Sequence, residues 1–147
     1  ITTTRSGYAL DQFLVTQPDW AQHSREIMHL VEAQLAEQLT AQLPLADPVR
    51  GRPSRRSRWF PVEPAIELLP DGRGQRWLLS IRANDRTGLL FAIARVLSKH
   101  RINLHTARIS TLGERAEDTF LVEGAALNSG AAQIQFQTEL LAALRGP

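Results

Sequence analysis

Residues 77–90 read WLLSIRANDRTGLL, and this stretch decides the fold. Trp77, Leu79 and Ile81 recur at period two, the pattern of a strand with one buried face, which predicts a strand over 76–83. Leu89, Leu90, Ile93, Val96 and Leu97 then recur at helical spacing. Asp85 is placed to cap that helix. Lys99, His100 and Arg101 stand at its carboxyl end, where cations suit the helix dipole.

Working downstream, residues 102–111 and 116–123 read as strands around Leu112-Gly113-Glu114-Arg115. A last helix is predicted over 131–145, with Ile134, Leu141 and Leu144 inward. Upstream, 65–69 reads as a short strand and Pro70-Asp71-Gly72-Arg73-Gly74 as a turn. The order is therefore strand, helix, strand, strand, helix, preceded by an extra strand. That order predicts an α+β, ferredoxin-like unit: an antiparallel βαββαβ sheet with its helices on one face. No strand follows the last helix. A hairpin between 65–69 and 76–83 fills the empty edge slot. The competing reading gives 65–69 to the preceding unit.

The chain also repeats itself. Residues 1–15 read ITTTRSGYALDQFLV and residues 109–122 read ISTLGERAEDTFLV. With one residue of slack, Asp11-x-Phe13-Leu14-Val15 matches Asp118-x-Phe120-Leu121-Val122, and each copy is followed by a helix. Residues 1–17 thus read as two strands, with Phe13 and Val15 on one face. Residues 19–43 read as a helix capped by Asp19, with Gln22 at its third position. Ile27, Leu30, Val31, Leu35 and Leu39 form its apolar stripe. The expected organisation is a partial first unit over 1–43, a linker over 44–61 and a complete second unit over 62–147. Ile1 falls inside a strand with no initiator Met, so a fragment of a longer chain is expected.

Composition bounds the function. With 43% hydrophobic and 22% charged residues, wholesale disorder and fibrous repeats are excluded. No apolar run approaches the ~20 residues of a membrane span. With no cysteine, disulfides, thiolate nucleophiles and Cys-based zinc sites are excluded, which fits a cytoplasmic location. The net charge is +2, yet Arg50, Arg52, Arg55, Arg56 and Arg58 fall in one short run, and the remainder is net acidic. Four prolines break residues 44–61, so the run reads as a solvated linker rather than a nucleic-acid face. His23, His29, His100 and His105 lack the i, i+4 spacing of a helical metal site, and no metal site is expected.

Residues 77–90, Ile102-Asn103-Leu104 and Ala107-Arg108-Ile109 together resemble an ACT domain. The doubled arrangement and Gly113-Glu114-Arg115-Ala116-Glu117-Asp118-Thr119-Phe120 are similar to the tandem ACT region of the bacterial PII uridylyltransferase/uridylyl-removing enzyme family. One departure is Thr87, where that family more often has Pro, which pre-sets a helix's first turn. The resemblance implies a regulatory module that senses glutamine or another small amino acid. It implies a parent enzyme that uses UTP and Mg, adds UMP to the PII protein when nitrogen is scarce and removes it when glutamine is plentiful. The segment itself is expected to carry no catalytic residue and no cofactor. No His-Asp dipeptide occurs, nor a Gly-Ser with a downstream Asp-x-Asp pair.

The effector-binding candidates are Asn84, Asp85, Arg86, Thr87, Gly88, Leu89 and Leu90. Unpaired N–H groups at a helix start suit a carboxylate, and glycine lets a ligand approach the backbone. Asn84 or Asp85 is expected to take an amine or amide. The plainer reading is helix capping beside a packing glycine. His105 and Thr106, on the neighbouring strand, are candidates for the same pocket; the plainer reading is a satisfied strand histidine. Asp11 and Asp118 read as structural or turn residues, and Trp20 as core or interface. The expected partners are a neighbouring ACT unit and a second copy of the chain, since the helix over 19–43 has a face to cover. The alternatives are an oligomerisation module of another regulated enzyme and a ferredoxin-like RNA-binding domain. An RNA-binding sheet needs exposed aromatics, and these strands offer only Phe120.

Overall fold

The computed structural model describes residues 2–3, 9–10, 12, 20–41, 48, 62–72 and 76–146. The chain forms two compact units, Ile1–Asp11 with Pro48–Pro147, and Gln12–Asp47. In the first, β1 (Thr2–Thr3) and β2 (Ala9–Leu10) precede β3 (Ala65–Pro70) and β4 (Trp77–Asn84). Then come α2 (Leu89–Lys99), β5 (Asn103–Arg108), β6 (Thr111–Leu112), β7 (Arg115–Glu123), a single 3-10 turn at Ala125–Asn128 and α3 (Gly130–Arg145). The second unit contributes α1 (Trp20–Ala41).

The strands form one antiparallel sheet in the order β2-β1-β5-β7-β4-β3, with β6 also on β7. Taking β4, β5 and β7 as the first three strands of a ferredoxin-like unit, β3 occupies the edge slot of the fourth. It does so by the hairpin route: Ala65 lies opposite Arg82 and Pro70 opposite Trp77, and the Asp71 N–H donates to the Arg76 carbonyl at 2.8 Å. The fold is the α+β, ferredoxin-like architecture expected. At the other end, Thr2 of β1 pairs with Thr106 of β5, so the first hairpin extends the same sheet.

One face of the sheet is the core. Leu79, Ile81 and Ala83 of β4 alternate inward, opposite Phe120, Asp118 and Ala116 of β7. Leu89, Ile93 and Leu97 of α2 and Phe136, Leu140 and Leu144 of α3 close over them, joined by Ile102 and Leu127. Burying each of these leucine, isoleucine and phenylalanine side chains contributes about 1.5–3 kcal/mol relative to leaving it in water.

Several expectations need correction. Asp85 does not cap α2. The helix starts four residues later, with Gly88 at the cap position in a left-handed conformation (φ 78°) and no side-chain cap bond. Leu90 is 45% exposed rather than inward. In α3, Ile134 is 69% exposed, and the buried stripe runs through Phe136, Leu140 and Leu144. The strand read over 102–111 is two strands, broken at 109–110, because the Asp118 carboxylate takes the Ser110 N–H. Beyond the dipole role read for them, Lys99 and His100 both reach Glu139 of α3, at 2.8 and 3.0 Å. The apolar face of α1 is open, as expected: Leu30, Val31, Leu35 and Leu39 are exposed. Asp11, Phe13, Val15, Asp19 and the Arg50–Arg58 run lie outside the described residues, as do the side chains of Trp20 and Gln22.

Candidate functional site

The loop between β4 and α2 is built by backbone geometry. The Asp85 N–H donates to the Glu114 carbonyl at 2.8 Å, which ties the loop to the turn of the β6–β7 hairpin. The Leu89 N–H donates to Arg86 and the Ala92 N–H to Gly88, at 3.1 and 3.0 Å. Gly88 meets the positive φ that a side chain would strain. The first turn of α2 holds no acidic residue and receives no side-chain cap. Its N–H groups and the positive end of its dipole therefore lack an internal anion. A β-carbon at Gly88 would lie 2.6 Å from Cγ of Pro48, so this exposed proline sits directly over the helix start.

The remaining loop candidates divide between structural and free. The Asn84 side-chain oxygen accepts from the Val62 N–H at 3.0 Å, so it fastens the segment entering β3. Arg86 donates from Nη2 to the Ala143 carbonyl at 2.7 Å and from Nη1 to the Thr87 carbonyl at 3.4 Å. Its charge thus serves the carboxyl end of α3. Leu89 is core, whereas Asp85, Thr87 and Leu90 are exposed.

His105 and Thr106 are not brought to this loop. Asn84 pairs with Arg115, while Leu104 and Thr106 pair with Val122 and Leu121, at the other end of β7. At about 3.3 Å per residue the separation along the sheet is about 20 Å. Within one unit the two groups cannot share a small ligand. His105 sits at a bulge between Leu104 and Thr106, with Nε2 2.8 Å from Oε2 of Glu123. That contact holds the Glu123 carboxyl below the usual carboxylate range, aided by Arg76. The plainer reading of His105 as a partnered strand histidine fits this geometry. Thr106 lies opposite Thr2.

One residue read as structural has a second side. Asp118 is 2% exposed and faces the core layer opposite Ile81. Its Oδ1 accepts from the Ser110 N–H at 3.2 Å, and its Oδ2 has no hydrogen-bond partner. Burial pushes its carboxyl upward, the Ser110 bond opposes that, and the charge of Asp85 adds to it. The signal available in the sequence was the recurrence of this aspartate in both repeats. Among the described residues no group of three His, Cys, Asp or Glu could hold a metal ion, and no helix is long and apolar enough to cross a membrane.

Residues 77–136 match the family model described as ACT domain. The chain is 57% identical over 145 residues to the bifunctional uridylyltransferase/uridylyl-removing enzyme of Cupriavidus metallidurans. It is 56% identical over 144 residues to the protein of that name from Burkholderia lata, and 54% over 144 residues to that of Burkholderia vietnamiensis. Each match covers 98% of this chain and 17% of the relative.

Proposed function

The chain belongs to the ACT-domain region of the bifunctional uridylyltransferase/uridylyl-removing enzyme family, and from that premise we propose that it is a regulatory module whose effector is glutamine. The observation that carries this reading is the start of α2. It is a helix terminus with neither an acidic first turn nor a side-chain cap, entered through a glycine at φ 78°. Such a terminus suits the carboxylate of a free amino acid. The module senses; uridylyl transfer and removal on the PII protein, with UTP and Mg, belong to the rest of such an enzyme, which acts in the cytoplasm.

Effector binding regulates only if two arrangements of the protein bind it unequally. The Thr2–Thr106 pairing makes the two repeats one sheet, so a ligand at one repeat has a mechanical route to the other. A purely assembling role is the second reading, favoured by the exposed apolar stripe of α1. Gel filtration with and without glutamine separates the two.

Isothermal titration with glutamine, glutamate and asparagine tests the sensor reading. Saturable binding selective for glutamine is the expected result. Equal or absent responses to all three would overturn it.

A further inference from the structure

We propose that the free Oδ2 of Asp118 seats the ammonium group of the amino-acid effector, while the first turn of α2 takes its carboxylate. This assignment rests on the sensor reading above and adds the group that recognises the amine. Asp118 is buried in the layer between β7 and the helices, and one of its two oxygens has no hydrogen-bond partner. A buried oxygen without a partner carries its desolvation cost uncompensated, and a bound cationic group would offset that cost. The occupied oxygen already does the structural task, fixing Ser110 at the break between β5 and β6.

The register places Asp118 three positions from the Asn84–Arg115 pair that borders the loop, about 10 Å along the strand. Asp118 stands opposite Ile81, and two places on Ala116 stands opposite Ala83, next to the loop. Asp85, in that loop, is close enough for its negative charge to act on Asp118. The basic side chains nearest in sequence are committed elsewhere. Arg86 bonds the Ala143 carbonyl, and Arg115 pairs with Glu117 at 2.8 Å. A metal ion fits less well, since the described residues offer no third acidic or imidazole ligand. An α-amino acid carries both the ammonium for Asp118 and the carboxylate for α2.

The test titrates glutamine and 4-carbamoylbutanoate, which is glutamine without its amino group, into the chain and into Asp118→Asn. Asparagine keeps the acceptor for the Ser110 N–H and removes the charge. The wild-type chain is expected to bind glutamine at least about tenfold more tightly than the des-amino compound, on the scale of a charge-assisted bond. Asp118→Asn is expected to bind the two alike. Retained discrimination in that variant, or an equal weakening of both compounds, would overturn the assignment while leaving the sensor reading intact. No glutamine binding by the wild-type chain would overturn both. Should Asp118→Asn fail to fold, Asp85→Asn on the exposed loop takes its place. It is expected to narrow the wild-type discrimination by about threefold through lost Coulomb attraction, and an unchanged ratio would overturn the assignment.

Discussion

Arg86 and Ala143 are 57 residues apart in sequence, and Nη2 of the arginine donates to the alanine carbonyl at 2.7 Å. One charge-assisted bond thus fastens the loop before α2 to the last turn of α3, where carbonyls have no partner within the helix. Gly146 packs on the same guanidinium, 3.4 Å from Nε at its would-be β-carbon. Arg86→Ala is expected to cost about 1.5–3 kcal/mol, read as a lower urea midpoint at unchanged slope. Amide exchange should quicken in the loop as well as at the end of α3. Quickening in α3 alone would mean that the loop is held without this bond. Lysine should restore little, since it lacks the planar fork.

The outline of the fold was legible because its cause is local. Trp77, Leu79 and Ile81 announce a strand by period alone, and the polar gap before Leu89 announces a boundary. What escaped was set by distant groups or by backbone handedness. Asp85 has a cap's chemistry, yet Gly88 turns the chain into the helix at positive φ, and periodicity carries no sign of that. The break at 109–110 depends on Asp118, eight positions away from Ser110. The loop over 84–88 could be marked as a unit, while the distance of His105 from it follows from strand order, which depends on pairing across the whole sheet.

The phase of α3 is testable by a pair of truncations. Counting back from Leu144 and Leu141 by ten and seven reaches Ile134, which is acceptable helical spacing. At 100° per residue, however, Ile134 lies about 120° around the helix from Leu140. Phe136 is fully buried and meets the His100 ring edge-on at 5.5 Å, whereas Ile134 is 69% exposed. Phe136→Ala should cost about 3–5 kcal/mol, and Ile134→Ala should stay within about 0.5 kcal/mol. Comparable losses from the two in urea melts would contradict a helix that buries Phe136 and exposes Ile134.

Gly88 carries two constraints that one double variant separates. Its φ of 78° strains any side chain, and a β-carbon there would meet the Pro48 ring at 2.6 Å. Gly88→Ala is expected to cost about 1–2 kcal/mol from backbone handedness alone. The clash adds to this unless Pro48 yields. Adding Pro48→Ala should recover only the clash. Full recovery in thermal melts would show that the left-handed conformation is not needed.

Glu139 gives the acid limb one direction. Lys99, then His100, then Gln135 bond its carboxylate and pull its pKa from 4.5 to about 2. A carboxyl whose folded pKa is depressed stabilises the fold above its unfolded value, and that contribution fades as pH falls toward the folded value. Glu139→Gln should therefore be less stable than wild type at pH 6, and the two should converge as pH falls from about 4.5 toward 2. Added salt should shrink the gap at pH 6, since Lys99 is well exposed. A gap that neither acid nor salt reduces would show that the effect is packing.

Asp118 gives the opposite direction. Burial raises its pKa in the fold, against the pull of the Ser110 bond and with the push of Asp85. Between the ordinary aspartate value, about 3.9, and the raised one, the folded state then binds more protons than the unfolded state. Wild-type stability must therefore fall as pH rises through that window, by the share that Asp118 owns. Asp118→Asn removes the ionisation and keeps the acceptor for the Ser110 N–H. Its urea midpoint relative to wild type should rise as pH climbs above the ordinary aspartate value and level off once pH has passed the raised one. A midpoint difference that does not change with pH would mean that Asp118 titrates in the fold as it does in the unfolded chain. The same variant then links stability to recognition, because a charge that weakens the empty fold is one that a bound ammonium group can offset.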